Sequence, residues 1–429
     1  MNYNEATEYI NAAGLLGSKP GLKRIEKLCR LLGDPQEKTR FVHIAGTNGK
    51  GSTAAMISGI LTAAGYKTGL YTSPHLCFFE ERISVGGAPI GKNRLADIIG
   101  RIKECADKMS DKPTEFEIAT AAAFLYFCEE KCDIAVLETG LGGRLDATNI
   151  IKKPLLSVIT GIDLDHTAIL GGTTDKIAYE KGGIIKPRRP VVLADCKAKA
   201  GAVISEIAKE NRAPLIKADY SRQKNISVSL DGTAFDFKPY GKIKLSLSGV
   251  YQAHNAAVAL TAAEALKGEG FAITENDIKS GLARARWPAR FEVLSNNPLI
   301  IYDGAHNPQG AQALKENLAA VGIKKAVFLS GVMADKDYLN FAKTLAPLAE
   351  TAFTAAAESS RALAPEKLAA VFGEYGVKAT PYKTVREGAA AAIGYAKKEN
   401  LPLIICGSLY IYKEVTEALK EVFSFENGK

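Results

Sequence analysis

The sequence predicts an α/β protein in two parts. The N-terminal part is a P-loop-type domain on a mostly parallel sheet, carrying a small antiparallel ribbon. The C-terminal part is a smaller, Rossmann-like α/β domain. Three observations predict this. Short apolar runs alternate with helical segments through the first half, the pattern of a parallel sheet wrapped by helices. One of those runs, "RFVHIA" (40–45), enters the Gly-rich turn "GTNGKG" and then a segment of helical spacing, which is the strand–loop–helix context of a phosphate loop. A second alternating series begins after residue 298.

The elements follow in order. After the loop, "STAAMISGILTAAG" has helical spacing and closes on Gly65, a C-cap signal. "KTGLYTS" (67–73) reads as the next strand, and "FEIATAAAFLYFCEEK" as a buried helix. "DIAVLETG" (133–140), "PLLSVITGID" (154–163) and "RPVVLAD" (189–195) are further buried strands. Residues 225–248 change character: they alternate and contain Asp231-Gly232, a hairpin signal, so they read as a ribbon inserted on the first domain. "HNAAVALTAAEALK" is helical. Trp287-Pro288 and Asn297-Pro298 interrupt regular structure and mark the boundary between a domain at 1–292 and one at 299–429. The second domain takes its strands from "LIIYDG", "KKAVFLSGV", "AETAFTAAA", "GVKATPY" and "LPLIICGS".

Composition narrows the class. The 429 residues are 47% hydrophobic and 24% charged, which is ordinary for a globular chain. The net charge of +8 is modest, and the longest basic cluster, "KPRRP" (186–190), is too short for a nucleic-acid arm. A mild positive excess suits small polyanionic substrates. Seven scattered cysteines form no C-x-x-C pair, which fits a reducing, cytoplasmic setting; Cys128 and Cys132 read as one face of a helix. The start has no signal-peptide pattern, and no run of about 18 apolar residues exists, so neither secretion nor a membrane span is expected.

Four segments could carry chemistry. In the loop, the backbone N–H groups of Asn48, Gly49, Lys50 and Gly51 at a helix start can cradle a phosphate, and Lys50 can neutralise it. The spacing is unusual: only Thr47 and Asn48 separate Gly46 from Gly49, and Gly51, not a hydroxyl residue, follows the lysine. Glu138 ends a buried strand, at the sheet edge where ligands bind, and suits a Mg²⁺ ligand. Asp163, Asp165 and His166 leave another strand end, while Lys181 beside Glu180 reads by default as a solvated surface pair. Asp303, His306 and Asn307 cluster in the turn after the first strand of the second domain, as a site or as an Asx turn with a helix cap. His43, inside a strand, reads as core. No zinc-type cluster and no Ser-His-Asp spacing stands out. The residues alone point to a two-domain Mg²⁺-nucleotide enzyme.

Taken together and in order, "HIAGTNGKGS", "TSPHL", "ERI", "LETGLGGRLDATN", "IAYEKGGIIK", "HNAAVAL", "RFE", "DGAHNP" and "GSLY" resemble the folylpolyglutamate synthase/dihydrofolate synthase family of the Mur ligase superfamily. The resemblance runs from about residue 20 to 411. It implies an ATP-binding central domain and a C-terminal glutamate-ligase domain. It implies an ATP-dependent ligase that phosphorylates a folate carboxylate and then joins L-glutamate to it. The substrate would be a reduced folate, and the segment 20–35 implies dihydropteroate as well. A Mur-type or cyanophycin-type peptide ligase is the alternative. Mur ligases carry a UDP-sugar domain before the loop, and a loop beginning at residue 46 leaves no room for one.

By the same resemblance, Thr47, Asn48, Gly49, Lys50, Gly51 and Ser52 would wrap the ATP phosphates, with Asn255, Arg290 and Asp303 also on ATP. Ser73 and Glu138 would hold one Mg²⁺, and Glu138 with His166 a second. Lys181 matches a lysine that is often carbamylated. His306 would lie near the acyl phosphate or incoming glutamate. The pterin side would be lined by Leu22, Lys23 and Arg24, by Thr114, Glu115, Phe116 and Glu117, and by Leu145, Asp146 and Ala147. Lys50, Lys181 and His306 are the expected catalytic groups. No nucleic-acid or membrane partner is implied, and a monomer is expected. The main departure is Tyr251-Gln252 where the family spells His-Gln.

Overall fold

The structure is a computed structural model and describes residues 1–14, 17 and 19–427. By packing, the chain divides into two units. The first comprises Met1–Lys224, Asp236–Ile243 and His254–Ala285; the second comprises Asn225–Phe235, Lys244–Ala253 and Arg286–Lys429.

The first unit is built on an eight-stranded sheet: β1 (Phe41–Ala45), β2 (Thr68–Tyr71), β3 (Ile83–Val85), β4 (Ala88–Pro89), β5 (Ile134–Glu138), β6 (Leu156–Ile159), β7 (Val191–Leu193) and β8 (Leu215–Lys217). Their order is β4-β3-β2-β5-β1-β6-β7-β8. The pairs from β2 through β8 are parallel, and β3 and β4 add an antiparallel edge. Every residue of β1, β5 and β6 is buried. Strands covered on both faces read as unbroken apolar runs, which is why these three were visible in the sequence. Ile44 pairs with Glu138 and Ala45 with Ile159. The loops at 46–49, 139–146 and 160–166 therefore leave the same edge of the sheet, where parallel sheets bind ligands.

Helices pack against the sheet, and two apolar clusters share one of its faces. Lys23–Leu31, Lys92–Asp107 and Glu115–Glu129 join one apolar cluster with Phe41, Tyr71 and Leu137. The helices Thr174–Gly182 and Ala198–Glu210 join another with Ile159, Val191 and Leu193. The helix Glu115–Glu129 starts on a capping box, in which the Thr114 side chain accepts from the Glu117 amide and the Glu117 side chain accepts in return. It stops before Lys131, whose φ is 53°, so Cys132 lies beyond the helix and the expected shared helical face with Cys128 does not form. The helix Lys50–Ala63 crosses Glu275–Arg284 at Gly59 and Gly281; a Cβ on Gly59 would sit 2.8 Å from the Gly281 carbonyl.

The ribbon at 223–245 has three strands, β9 (Gln223–Ser229), β10 (Gly232–Phe237) and β11 (Gly241–Leu245), with β10 in the middle. The boundary between the units passes through it, and through the helix Val250–Gly268. The second unit has a six-stranded sheet: β12 (Glu292–Asn296), β13 (Leu299–Asp303), β14 (Ala326–Ser330), β15 (Ala349–Thr354), β16 (Lys378–Pro381) and β17 (Leu403–Cys406), ordered β12-β13-β17-β14-β15-β16. All pairs are parallel except β12–β13. Asn297-Pro298, read from sequence as an interruption, is the turn of that antiparallel hairpin. Among the described residues, no helix is long and apolar enough to cross a membrane.

Candidate active site

The phosphate loop follows β1 directly, and its glycines have steric reasons. A Cβ on Gly46 would meet the Thr160 side chain. Gly49 has φ 84° and caps the helix that begins at Lys50; a Cβ there would meet the Asn255 side chain. The loop is tied to the end of β6. The Thr47 amide donates to the Gly161 carbonyl at 2.7 Å. The Thr47 hydroxyl donates to the Asp163 carbonyl at 3.0 Å and accepts from the Asp163 amide at 3.1 Å. The Thr160 hydroxyl donates to the Asn48 carbonyl at 2.8 Å. Lys50 Nζ folds back to the Thr47 carbonyl at 3.2 Å. A helix leaves its first N–H groups without intrahelical acceptors. Held this way, the loop presents that end as an anion cradle.

Lys181 is not a surface lysine. The helix Thr174–Gly182 turns it inward, where it is 3% exposed, and its Nζ donates to the Gly46 carbonyl at 2.8 Å. Glu180 pairs instead with Arg144 at 2.8 Å. Burial pulls the Lys181 amine down to about 7; the positive charge of Lys50 adds to this, while Asp165 and Asp146 oppose it. The same helix also seats the 140–146 loop: the Arg144 amide donates to the Glu180 carbonyl at 2.7 Å, and a Cβ on Gly143 would sit 2.8 Å from that oxygen.

Glu138 ends β5 and is buried, and its Oε2 accepts from the Ser73 amide at 3.3 Å. Ser73 follows β2, the strand beside β5. A buried carboxylate beside a serine, on neighbouring strand ends, is an oxygen donor set that a hard cation prefers. His166 lies in the loop after β6 with φ 49°, its Nε2 3.8 Å from Asp165 Oδ2. Among the described residues, no three or more His, Cys, Asp or Glu side chains form a group able to hold a metal. Ser73 and Glu138 are thus brought together, and His166 stands on the far side of β1 from them.

The three segments expected on the pterin side do converge. Arg24 pairs with Glu117 at 3.1 Å, joining 22–24 to 114–117. The Phe116 ring fills the space that a Cβ on Gly140 would need, joining 114–117 to the 140–147 loop. Two of the expected carboxylates serve structure here. Glu117 is the capping-box acid, and Asp146, pushed up by burial, accepts from the Gly140 and Leu141 amides at 2.9 Å and from the Thr148 amide at 3.0 Å. Leu145 is exposed and Ala147 buried. The sequence reading missed the neighbours of this group. Arg82 pairs with Glu115 at 2.9 Å and donates to His75 Nδ1 at 2.9 Å, and Glu81 accepts from the Leu76, Cys77 and Phe78 amides. The "ERI" motif was the signal available for both.

In the second unit, Asp303 ends β13. Its Oδ1 accepts from the Ala305 amide at 2.8 Å, and its Oδ2 accepts from the Phe291 amide at 2.9 Å and the Tyr251 hydroxyl at 3.0 Å. Tyr251 is the family departure noted above. The Arg290 guanidinium donates to the Ala289 carbonyl at 3.0 Å. His306 Nδ1 lies 2.8 Å from the Gly304 carbonyl, which can only accept, so Nδ1 carries the proton. Asn307 is the helix cap: its Oδ1 accepts from the Gly310 amide at 2.7 Å.

Residues 44–263 match the Mur ligase middle domain, and residues 289–409 match the Mur ligase glutamate ligase domain. The dihydrofolate synthase/folylpolyglutamate synthase of Bacillus subtilis is 38% identical over 433 residues, covering 97% of this chain and 99% of that protein. The Mycobacterium tuberculosis folylpolyglutamate synthase, solved with ADP and AMPPCP, superposes with a TM-score of 0.88 at 31% identity, over 98% of this chain and 99% of that one. An Escherichia coli FolC, solved with DHPP and ADP, superposes with a TM-score of 0.84 at 31% identity, over 98% of each chain. With both domains matched in order and the relatives aligned end to end, the chain belongs to the folylpolyglutamate synthase/dihydrofolate synthase family of the Mur ligases.

Proposed function

We propose that this chain is an ATP-dependent ligase that adds L-glutamate to folates, and to dihydropteroate, through an acyl phosphate. The observation that carries the reading is the loop 46–50, stitched to β6 through Thr47 and Thr160 and backed by the buried Lys181 amine, with the Glu138 carboxylate one strand away. A carboxylate is a poor electrophile until one of its oxygens becomes part of a phosphate leaving group. The substrate carboxylate oxygen attacks the γ-phosphorus and ADP leaves. The glutamate amine then attacks the carbonyl carbon, inorganic phosphate leaves, and an amide remains. Positioning and charge do most of the work in phosphoryl transfer.

The main-chain N–H groups from Asn48 to Ser52, on the turn that Thr47 anchors, and the Lys50 side chain hold the ATP phosphates in this reading, with Asn255, Arg290 and Asp303 as further nucleotide contacts. Ser73 and Glu138 would hold one Mg²⁺, and Glu138 with His166 a second; the metal supplies positive charge against the phosphate oxygens. Lys181 meets the chemical requirement for carbamylation, because burial and the nearby Lys50 charge pull its amine down to about 7, which makes the neutral, nucleophilic form accessible at physiological pH. Carbon NMR of the native protein in ¹³C-labelled bicarbonate tests it: a carbamate carbonyl signal that disappears in Lys181→Met is expected, and its absence from the wild-type protein refutes it. His306, with Nδ1 on the Gly304 carbonyl, would lie near the acyl phosphate or the incoming glutamate.

Use of dihydropteroate is supported by the helix Lys23–Leu31, which Arg24 ties to Glu117 beside Phe116. ADP release with glutamate plus dihydropteroate, and separately with tetrahydrofolate, tests the reading. Turnover with both is expected; turnover with one restricts the substrate, and silence with both overturns the proposal. A monomer in a reducing cytoplasm completes it; the odd number of scattered cysteines with no C-x-x-C pair supports the compartment. Sedimentation velocity showing a stable dimer would refute the first of these, and secretion of the native protein the second.

A further inference from the structure

Two non-glycine residues of the second unit hold left-handed backbone on either side of one arginine: Ala289 has φ 58° and Phe291 has φ 49°, flanking Arg290. Such backbone is unfavourable for a residue with a Cβ, most of all a bulky one, and persists only where the surroundings over-determine it. Here they do. The Ala289 amide donates to Glu292 Oε2 at 2.7 Å, and the Tyr412 hydroxyl donates to the same oxygen at 3.0 Å. The Gly304 amide donates to the Ala289 carbonyl at 2.8 Å, and the Phe291 amide to Asp303 Oδ2 at 2.9 Å. Ala289 and Phe291 are buried and Arg290 between them is half-buried. A Cβ on Gly304 would meet the Arg290 guanidinium and the Leu409 side chain, so the absence of a side chain there leaves room for both.

Asp303 pins this kink, and one of its pins comes from far along the chain. Oδ2 has two donors, the Phe291 amide and the hydroxyl of Tyr251, which lies 52 residues away in sequence, in the first turn of the helix Val250–Gly268. The kink has no regular element of its own to hold Arg290 in place. Its conformation therefore depends on how firmly the Asp303 carboxylate is oriented, and without the Tyr251 hydroxyl only the Ala305 amide on Oδ1 and the Phe291 amide on Oδ2 hold it, the latter being part of the kink itself.

We propose that the Tyr251 hydroxyl is a positioning group for nucleotide binding: through Asp303 it holds the 289–291 kink and so fixes where Arg290 presents its guanidinium to ATP. This rests on the reading of Arg290 as an ATP contact. The Tyr251→Phe substitution removes only the hydroxyl. The test is steady-state kinetics of the full chain, with ATP varied at saturating glutamate and folate, for Tyr251→Phe, Arg290→Ala and the double variant. ADP affinity by calorimetry and melting temperatures complete the set. Tyr251→Phe is expected to raise the KM for ATP roughly three- to tenfold, the net worth of one hydrogen bond, with the KM for glutamate unchanged. The double variant is expected to match Arg290→Ala alone, because the hydroxyl acts only through the arginine. An unchanged KM for ATP in Tyr251→Phe overturns the proposal, even with a lowered melting temperature, since Tyr251 would then be purely structural. Additive effects in the double variant overturn it too. If Arg290→Ala itself leaves ATP binding intact, the reading of Arg290 fails instead, and the proposal with it.

Discussion

Lys181 Nζ donates to the main-chain carbonyl of Gly46 at 2.8 Å, so a buried amine stands directly behind the phosphate loop. Its amine is held near 7 by burial first and by Lys50 second, with Asp165 and Asp146 opposing. In the unfolded chain it would titrate near 10.5. Between those values the unfolded chain binds the extra proton, so the folded state gains stability as pH rises from about 7 toward 10.5, and the full penalty is present below 7. The difference amounts to roughly 5 kcal/mol, at ~1.4 kcal/mol per pH unit over the interval from 10.5 to about 7. Urea unfolding at several pH values is expected to show this rise in the unmodified protein and to lose most of it in Lys181→Met. An identical pH slope in both proteins would remove Lys181 as its source.

Gly49 should tolerate no side chain. Its φ of 84° and the Asn255 side chain beside it both oppose a Cβ. Gly49→Ala is expected to lower ATP affinity at least tenfold and stability by about 1–3 kcal/mol, the usual range for strain of this type. Calorimetric titration with ADP checks the first and denaturant unfolding the second. Wild-type ADP affinity in this variant would mean that the loop does not hold the phosphates in the conformation seen here.

Glu138→Ala separates metal binding from folding. The carboxylate accepts from the Ser73 amide at 3.3 Å at the end of β5, and denaturant unfolding of the variant reports how much of the fold survives its loss. Turnover is expected to fall by two to three orders of magnitude, about what removal of one charge-stabilising group costs, and its Mg²⁺ dependence should shift to higher concentration. A variant that folds and turns over normally at low Mg²⁺ would take Glu138 out of the metal site.

His43 heads a buried chain that ends at the 140–146 loop. Its Nε2 lies 2.7 Å from the Thr148 hydroxyl, which donates at 2.6 Å to Asp146 Oδ1. A carboxylate accepts only, so the hydroxyl proton goes to Asp146 and His43 must carry its own proton on Nε2. Nδ1 is then an acceptor, and among the described residues it has no hydrogen-bond partner. Burial, with Lys186 second, pulls the ring down to about 3 from 6.5. The unfolded chain therefore takes up the extra proton between 6.5 and 3, and stability falls as pH drops through that window. Nitrogen NMR should show a neutral Nε2–H ring at pH 5. Thr148→Val should cost about 1–3 kcal/mol by stranding two buried polar partners. A protonated His43 at pH 5 would contradict the chain as drawn.

The central strands, and with them the candidate residues at their ends, were legible in the sequence, because strands buried on both faces leave continuous apolar runs such as "FVHIA" and "IAVLE". The edges were not. Ala88–Pro89 is too short to carry a pattern, Leu215–Lys217 is half-exposed, and Glu292–Asn296 ends at a proline pair that reads as an interruption. Lys181 was misread as a surface partner of Glu180 because adjacent helical residues point about 100° apart, and only packing decides which one turns inward. The Tyr251–Asp303 bond joins residues 52 apart, and no local pattern predicts it. Asp146 and Glu117 were visible as carboxylates near the pterin segments, but their use as caps depends on amides that only the folded loop brings to them.

The central claim is activation of a folate carboxylate as an acyl phosphate before glutamate attacks. Its most direct test labels that carboxylate with ¹⁸O and follows the label during turnover with ATP and L-glutamate. Label appearing in inorganic phosphate, with one glutamyl residue added to the folate, is the predicted result. Label in AMP, or ATP hydrolysis with no glutamyl product, would contradict it.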